Sequence, residues 1–113
     1  LGEILDLAVA IPGVKGALFV NSEGLVIDAR WSLTMDQARC GATMGELGNQ
    51  LNGSLLEGSF GAIQSILVET DGPTFYVVRE PDGAFIFVGD ESCNLGTLRM
   101  RIEKLVAGYH PQS

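Results

Sequence analysis

Residues Thr74 to Val88 read Thr-Phe-Tyr-Val-Val-Arg-Glu-Pro-Asp-Gly-Ala-Phe-Ile-Phe-Val. Two apolar runs, Thr74 to Glu80 and Ala84 to Val88, flank Pro81-Asp82-Gly83, a turn whose residues end strands for backbone reasons. Along the second run Ala84, Ile86 and Val88 point one way and Phe85 and Phe87 the other. In the first run Phe75 and Val77 likewise oppose Tyr76 and Val78. A sheet with one wet face would alternate apolar with polar residues, so a sheet apolar on both faces must be covered on both. This predicts three layers, with helices on either side of the strands.

Working outward from that hairpin supplies the helices. Upstream, Ile63 to Glu69 reads as a strand ended by Asp71-Gly72-Pro73. Val14 to Val20 and Leu25 to Ala29 form a second hairpin around Asn21-Ser22-Glu23-Gly24. A short helix, Leu1 to Ala10, carries Leu1, Ile4, Leu5 and Ala8 on one face and stops at Pro12-Gly13. A long helix is predicted from Thr34, its N-cap, to Leu56. Asn94 caps a last helix, Leu95 to Val106, whose stripe of Leu95, Leu98, Ile102, Leu105 and Val106 faces the core. The turns between successive strands are too short for parallel crossovers, so hairpin pairing dominates. The fold class is α/β (α+β), a three-layer sandwich with the long helix on one face and the two terminal helices on the other. Residues 1–108 make a single domain, and residues 109–113 are expected to form a C-terminal tail.

The long helix divides into arcs at 100° per residue. Cys40, Met44, Leu47, Leu51 and Leu55 form an apolar stripe, and Gly41, Gly45, Gly48 and Asn52 a flat strip beside it. Arg39, Glu46, Gln50 and Glu57 form a charged arc facing away. Three glycines on one helical face cost about 2–3 kcal/mol relative to alanine, so a close approach must offset them. Spacing leaves two partners open: the chain's own sheet, or a helix of another subunit.

Bulk properties narrow the function. With 14 acidic and 7 basic residues the formal charge is −7, and the cations are scattered, which argues against a nucleic-acid or anionic-membrane partner. No apolar run approaches the roughly 20 residues that span a bilayer. Cys40 and Cys93 are too few and too distant for a disulfide framework or zinc site and are read as buried thiols in a reducing cytoplasm. His110 is the single histidine and falls in the tail, so neither cysteine nor any serine has a partner for nucleophilic catalysis. Asp90 and Glu91 are adjacent in a loop with no spaced ligands to join them, so no metal is expected. No glycine run ends in Lys-Ser or Lys-Thr, so no nucleotide cofactor is expected either. Trp31, at the junction before the long helix, is either a lid on the core or an exposed anchor for a partner.

The segment Ile11-Pro12-Gly13-Val14-Lys15-Gly16-Ala17-Leu18, followed by Ser22-Glu23-Gly24-Leu25-Val26-Ile27, resembles the opening of the Roadblock (dynein light chain) family. Asn94-Leu95-Gly96-Thr97-Leu98-Arg99 is similar to that family's last helix, and the element order agrees over nearly the whole chain. Within the family the chain looks more like prokaryotic gliding-motility regulators of the MglB type than like dynein subunits. The resemblance implies a single five-stranded antiparallel, profilin-like sheet and a homodimer that continues it between subunits. It places Gly41, Met44, Gly45, Gly48 and Asn52 at a helix–helix interface and Ser65, Leu67 and Glu69 on the paired edge strand. It also implies a non-catalytic cytoplasmic module that binds a small Ras-like GTPase or serves as a scaffold, meeting its partner through Arg39 and Glu46, with Trp31 a further partner-binding candidate from its position in the sequence. A small-molecule sensor domain is the competing reading, since a sheet between helices also suits ligand pockets.

Overall fold

The computed structural model describes residues 1–111. Its elements run α1 (Gly2–Val9), β1 (Val14–Asn21), β2 (Val26–Trp31), α2 (Gln37–Glu57), β3 (Ser65–Glu69), β4 (Thr74–Glu80), β5 (Gly83–Gly89) and α3 (Leu95–Val106). The strands form one antiparallel sheet in the order β2-β1-β5-β4-β3. The three-layer architecture and the single five-stranded sheet are therefore as the sequence and the resemblance imply.

The alternation read along the central hairpin sorts the core. Tyr76, Phe85 and Phe87 pack with Leu5 and Ala8 of α1 and Leu98 and Ile102 of α3. On the other face Phe75, Val77, Ala84, Ile86 and Val88 pack beneath α2 with Leu18, Val20 and Cys40. No polar or charged residue is buried among the described residues, so apolar burial drives this core. In the β1–β2 turn the Asn21 side chain accepts from the backbone N–H of Glu23 and of Leu25, while Gly24 supplies the left-handed residue at φ 83.

Four local details differ from the sequence reading. Asp36, not Thr34, caps α2, accepting from the Arg39 N–H at 3.1 Å. The cause is Trp31: its indole N–H donates to the Met35 carbonyl at 3.0 Å, occupying a group that a helix starting at Thr34 would need. Strand β2 runs on to Trp31, which pairs with Gly16, so the tryptophan belongs to the sheet rather than to a junction. Strand β3 begins at Ser65 instead of Ile63, because the Ile63 N–H is taken by the Asn52 side chain at 2.8 Å. Lastly, Tyr109 is not part of a free tail. Its ring packs against Phe19 and Phe85, and its hydroxyl donates to Asp82 at 2.6 Å. The last two residues assigned to that tail, 112 and 113, lie outside the described residues.

Candidate protein-interaction surface

The glycine strip of α2 faces inward. A Cβ on Gly41 would lie 3.0 Å from both Val20 and Val26, and one on Gly45 would lie 3.2 Å from the Gly24 backbone. Gly48 offers its carbonyl to Arg79 at 2.7 Å, and Asn52 is committed to Ile63. Of the two partners left open by spacing, the helix thus meets its own β1–β2 hairpin. Gly41 and Gly45 let α2 lie directly on that turn, whereas a Cβ on Gly48 would meet only Arg79 and Ile66, at ordinary distance. Met44, half-buried, also packs into the core below α2.

What α2 offers outward is its neighbouring flank. Leu47 and Leu51 remain 37% and 39% exposed, on the side that overlooks β4 and β3. Strand β3 is the free edge beyond them, hydrogen-bonded on one side only, to β4. Its Ile66 and Val68 are half-buried under the α2 side, while Ser65, Leu67 and Glu69 are exposed on the other, Leu67 to 44%. An unpaired strand edge beside exposed leucines is a surface that proteins normally cover.

The remaining singled-out residues are spread around the molecule. Trp31 is a half-buried lid: its ring packs against Gly16, so close that a Cβ there would sit 2.5 Å from it. Arg39 and Glu46 are exposed on the outer arc of α2, Glu46 accepting a hydrogen bond from Gln50 at 3.1 Å. Next to Arg39 opens an apolar crevice of about 230 Å³ bounded by Met35, Cys40, Met44 and Phe75. Burial pushes the Cys40 thiol up to about 11, and burial together with Asp90 raises that of Cys93, so neither is poised as a nucleophile. Asp90 ties its own loop, accepting from the Ser92 hydroxyl and backbone N–H, and those bonds hold its carboxyl below the usual range. His110 is exposed at the rim of an open groove. Among the described residues no three His, Cys, Asp or Glu side chains gather as a metal site would require, and no helix is long and apolar enough to cross a membrane.

No protein-family model matches the sequence, and no curated protein does. Solved structures match in three dimensions. A Roadblock/LC7 domain from Streptomyces avermitilis superposes at TM-score 0.83 with 16% identity, over 95% of this chain and 92% of that one. MglB of Myxococcus xanthus gives TM-score 0.83 at 15% identity, over 93% of this chain and 87% of that one. The chain has the Roadblock/LC7 fold. Profilin II of Acanthamoeba castellanii shares the wider architecture at TM-score 0.65 and 16% identity, over 91% of this chain and 90% of that one.

The α2 flank and the β3 edge bring exposed Leu47, Leu51 and Leu67 together, while Leu7, Leu25, Ile27 and Met100 are exposed elsewhere among the described residues. Sequence reasoning singled out both β3 and the glycine strip of α2, and left open that the strip packs on its own hairpin, as Gly41 and Gly45 do. The sequence signal for that packing was Gly24. A hairpin turn ending in glycine and a helix strip of glycines are complementary small surfaces within one chain.

Proposed function

We propose that this chain is a non-catalytic, MglB-like member of the Roadblock family, acting in the cytoplasm as a homodimeric module that binds a small Ras-like GTPase or scaffolds a larger complex. The observation that carries the reading is the uncovered β3 edge lying beside Leu47 and Leu51 on α2. Pairing β3 with its counterpart in a second copy, through the backbone that carries Ser65, Leu67 and Glu69, satisfies the open edge and brings the two α2 flanks together. The similarity of fold to MglB supports the GTPase as partner, with the outward arc bearing Arg39 and Glu46 as its landing surface. Trp31 contributes from the rim of that face, held by Met35 and Gly16.

Two measurements test this. Molar mass over a wide dilution range should correspond to two chains, and Leu51→Glu should shift it to one chain without unfolding. A GTPase captured from the native lysate should change in yield when the lysate is loaded with a non-hydrolysable GTP analogue instead of GDP; an indifferent yield removes the regulatory half. The crevice beside Arg39 favours the second reading, a small-molecule sensor. At about 230 Å³ it falls below the roughly 300–1,000 Å³ usual for ligand sites, while the open groove beside Tyr109 and His110 reaches about 630 Å³. Thermal shift with a metabolite panel decides it.

A further inference from the structure

We propose that the groove between α1 and α3, on the face of the sheet away from α2, docks an acidic amphipathic helix of a partner protein. Leu7 meets the apolar stripe of that helix, and Arg101 and Lys104 meet its carboxylates. The site shares no residue with the α2 flank or the β3 edge, so it stands or falls apart from the self-association and GTPase readings.

The groove follows from how the two helices pack. Leu5 and Ala8 of α1 and Leu98 and Ile102 of α3 sink into one cluster with Phe85 and Phe87. Between the outer shoulders of the helices remains an open channel of about 310 Å³, lined by Leu7, Ala10, Ile11, Arg101, Lys104 and Leu105. Ile11, buried, forms its floor. Leu7 follows Leu5 by two residues, about 200° round the helix, so it leaves the core face and stands 48% exposed. Met100, one turn before Lys104 on α3, extends the apolar margin and is likewise exposed.

Charge separates this groove from the rest of the molecule. The chain has 14 acidic and 7 basic residues, yet here two cations line the walls and no acid does. Most other cations are engaged: Lys15 with Asp90, Arg30 with Asp6 and Asp28, Arg99 with Glu103, and Arg79 with the Gly48 carbonyl. Arg101 and Lys104 are exposed and enter no ion pair among the described residues. The acids of α1 are turned elsewhere. Asp6 is tied to Arg30, and Glu3 lines the separate groove beside Tyr109 and His110.

An occupant must therefore bring apolar surface and negative charge together. A helix fits, because it carries its backbone hydrogen bonds with it and seats between two other helices by ridges in grooves. An extended segment finds no strand edge to pair with, since α1 and α3 cover the sheet here. Arg101 and Lys104 are three residues apart, about 4.5 Å along α3, so carboxylates one turn apart on the partner reach both. An anionic membrane would offer charge to the same two side chains, but the net charge of −7 opposes it.

The test is fluorescence anisotropy of the chain with a labelled helical peptide carrying leucine every third or fourth residue and glutamate beside it. The controls are the same peptide with lysine for each glutamate, and one with a central proline that breaks the helix. The glutamate peptide should bind and both controls should not. Arg101→Glu, Lys104→Glu and Leu7→Ser should each weaken it about fivefold, and the double charge reversal should take the lysine peptide in its place. Arg99→Glu changes the net charge as much as Arg101→Glu but stands about 200° round α3, and should leave binding within about twofold. Unchanged thermal midpoints, expected for exposed positions, show that the variants fold; Arg101→Gln and Lys104→Gln replace any reversal that does not. A glutamate peptide that fails to bind, binds both reversal variants equally, or loses as much to Arg99→Glu overturns the site. Binding of phosphatidylserine vesicles in place of the peptide makes this face a membrane contact and overturns the partner class.

Discussion

Tyr109 shows how a single side chain can close a domain. Its hydroxyl hydrogen bond to Asp82 crosses from the end of α3 to the β4–β5 turn, and its ring completes a cluster with Phe19 and Phe85. The second Asp82 carboxylate oxygen is buried with no partner among the described residues, so the Tyr109 bond is what satisfies that side chain. Burial and then the Asp82 bond push the phenol from 10.0 up to about 12. The folded state therefore holds this proton more tightly than the unfolded state does. Its contribution is intact below pH 10 and declines as the pH climbs towards about 12. Tyr109→Phe should lower stability at pH 7 by about 1–3 kcal/mol through the unpaired carboxylate, and flatten that alkaline loss; urea midpoints measured from pH 7 to 12 check both. Trp31 and Gly16 make a second such pair. Gly16→Val should lift the indole off the strand, seen as a red shift and greater quenching of the single tryptophan's emission.

At the scale of an element, α2 is built to be close to its sheet. Gly41 and Gly45 bring its axis down onto Val20, Gly24 and Val26, and Asn49 donates to the Ser22 carbonyl at 3.3 Å. Gly45→Leu should accordingly cost at least about 1–3 kcal/mol by overpacking against the Gly24 backbone. Its thermal midpoint should fall equally in dilute and concentrated samples, which separates it from a substitution that only breaks a dimer. The helix start offers a milder test. Removing the carboxylate in Asp36→Ala should cost about 1 kcal/mol, read from the shift in denaturant midpoint, whereas Thr34→Ala should cost almost nothing.

For the whole molecule, the sheet is unevenly covered. α2 spans β2, β1, β5 and β4 but makes little contact with β3; on the opposite face α1 lies over β1 and β2, and α3 packs beside α1, its Leu98 and Ile102 in the cluster with Tyr76, Phe85 and Phe87. The uncovered end is where Leu47, Leu51 and Leu67 lie exposed. Coupled association and folding makes stability depend on mass action. The thermal midpoint of the chain should rise with protein concentration, by an amount equivalent to about 1.4 kcal/mol for each tenfold step, in differential scanning measurements. The same series on Leu51→Glu should be flat.

The order of elements, the antiparallel hairpins and the two-faced core were legible in the sequence, since alternation along Phe75–Val78 and Ala84–Val88 is a local pattern that each strand carries by itself. The Asn94 cap and the bounds of α3 were legible for the same reason. What lay beyond it were the contacts between residues distant in the chain. The glycine strip could not declare its partner, because Gly24 and Gly45 meet only after the hairpin and helix have docked. Trp31 displaced the helix start through a carbonyl, and Asn52 shortened β3 through an amide, neither of which a propensity encodes. Phe60 has no periodicity to mark it. Tertiary structure alone left it in water, since exposure belongs to the packed molecule and not to the residue.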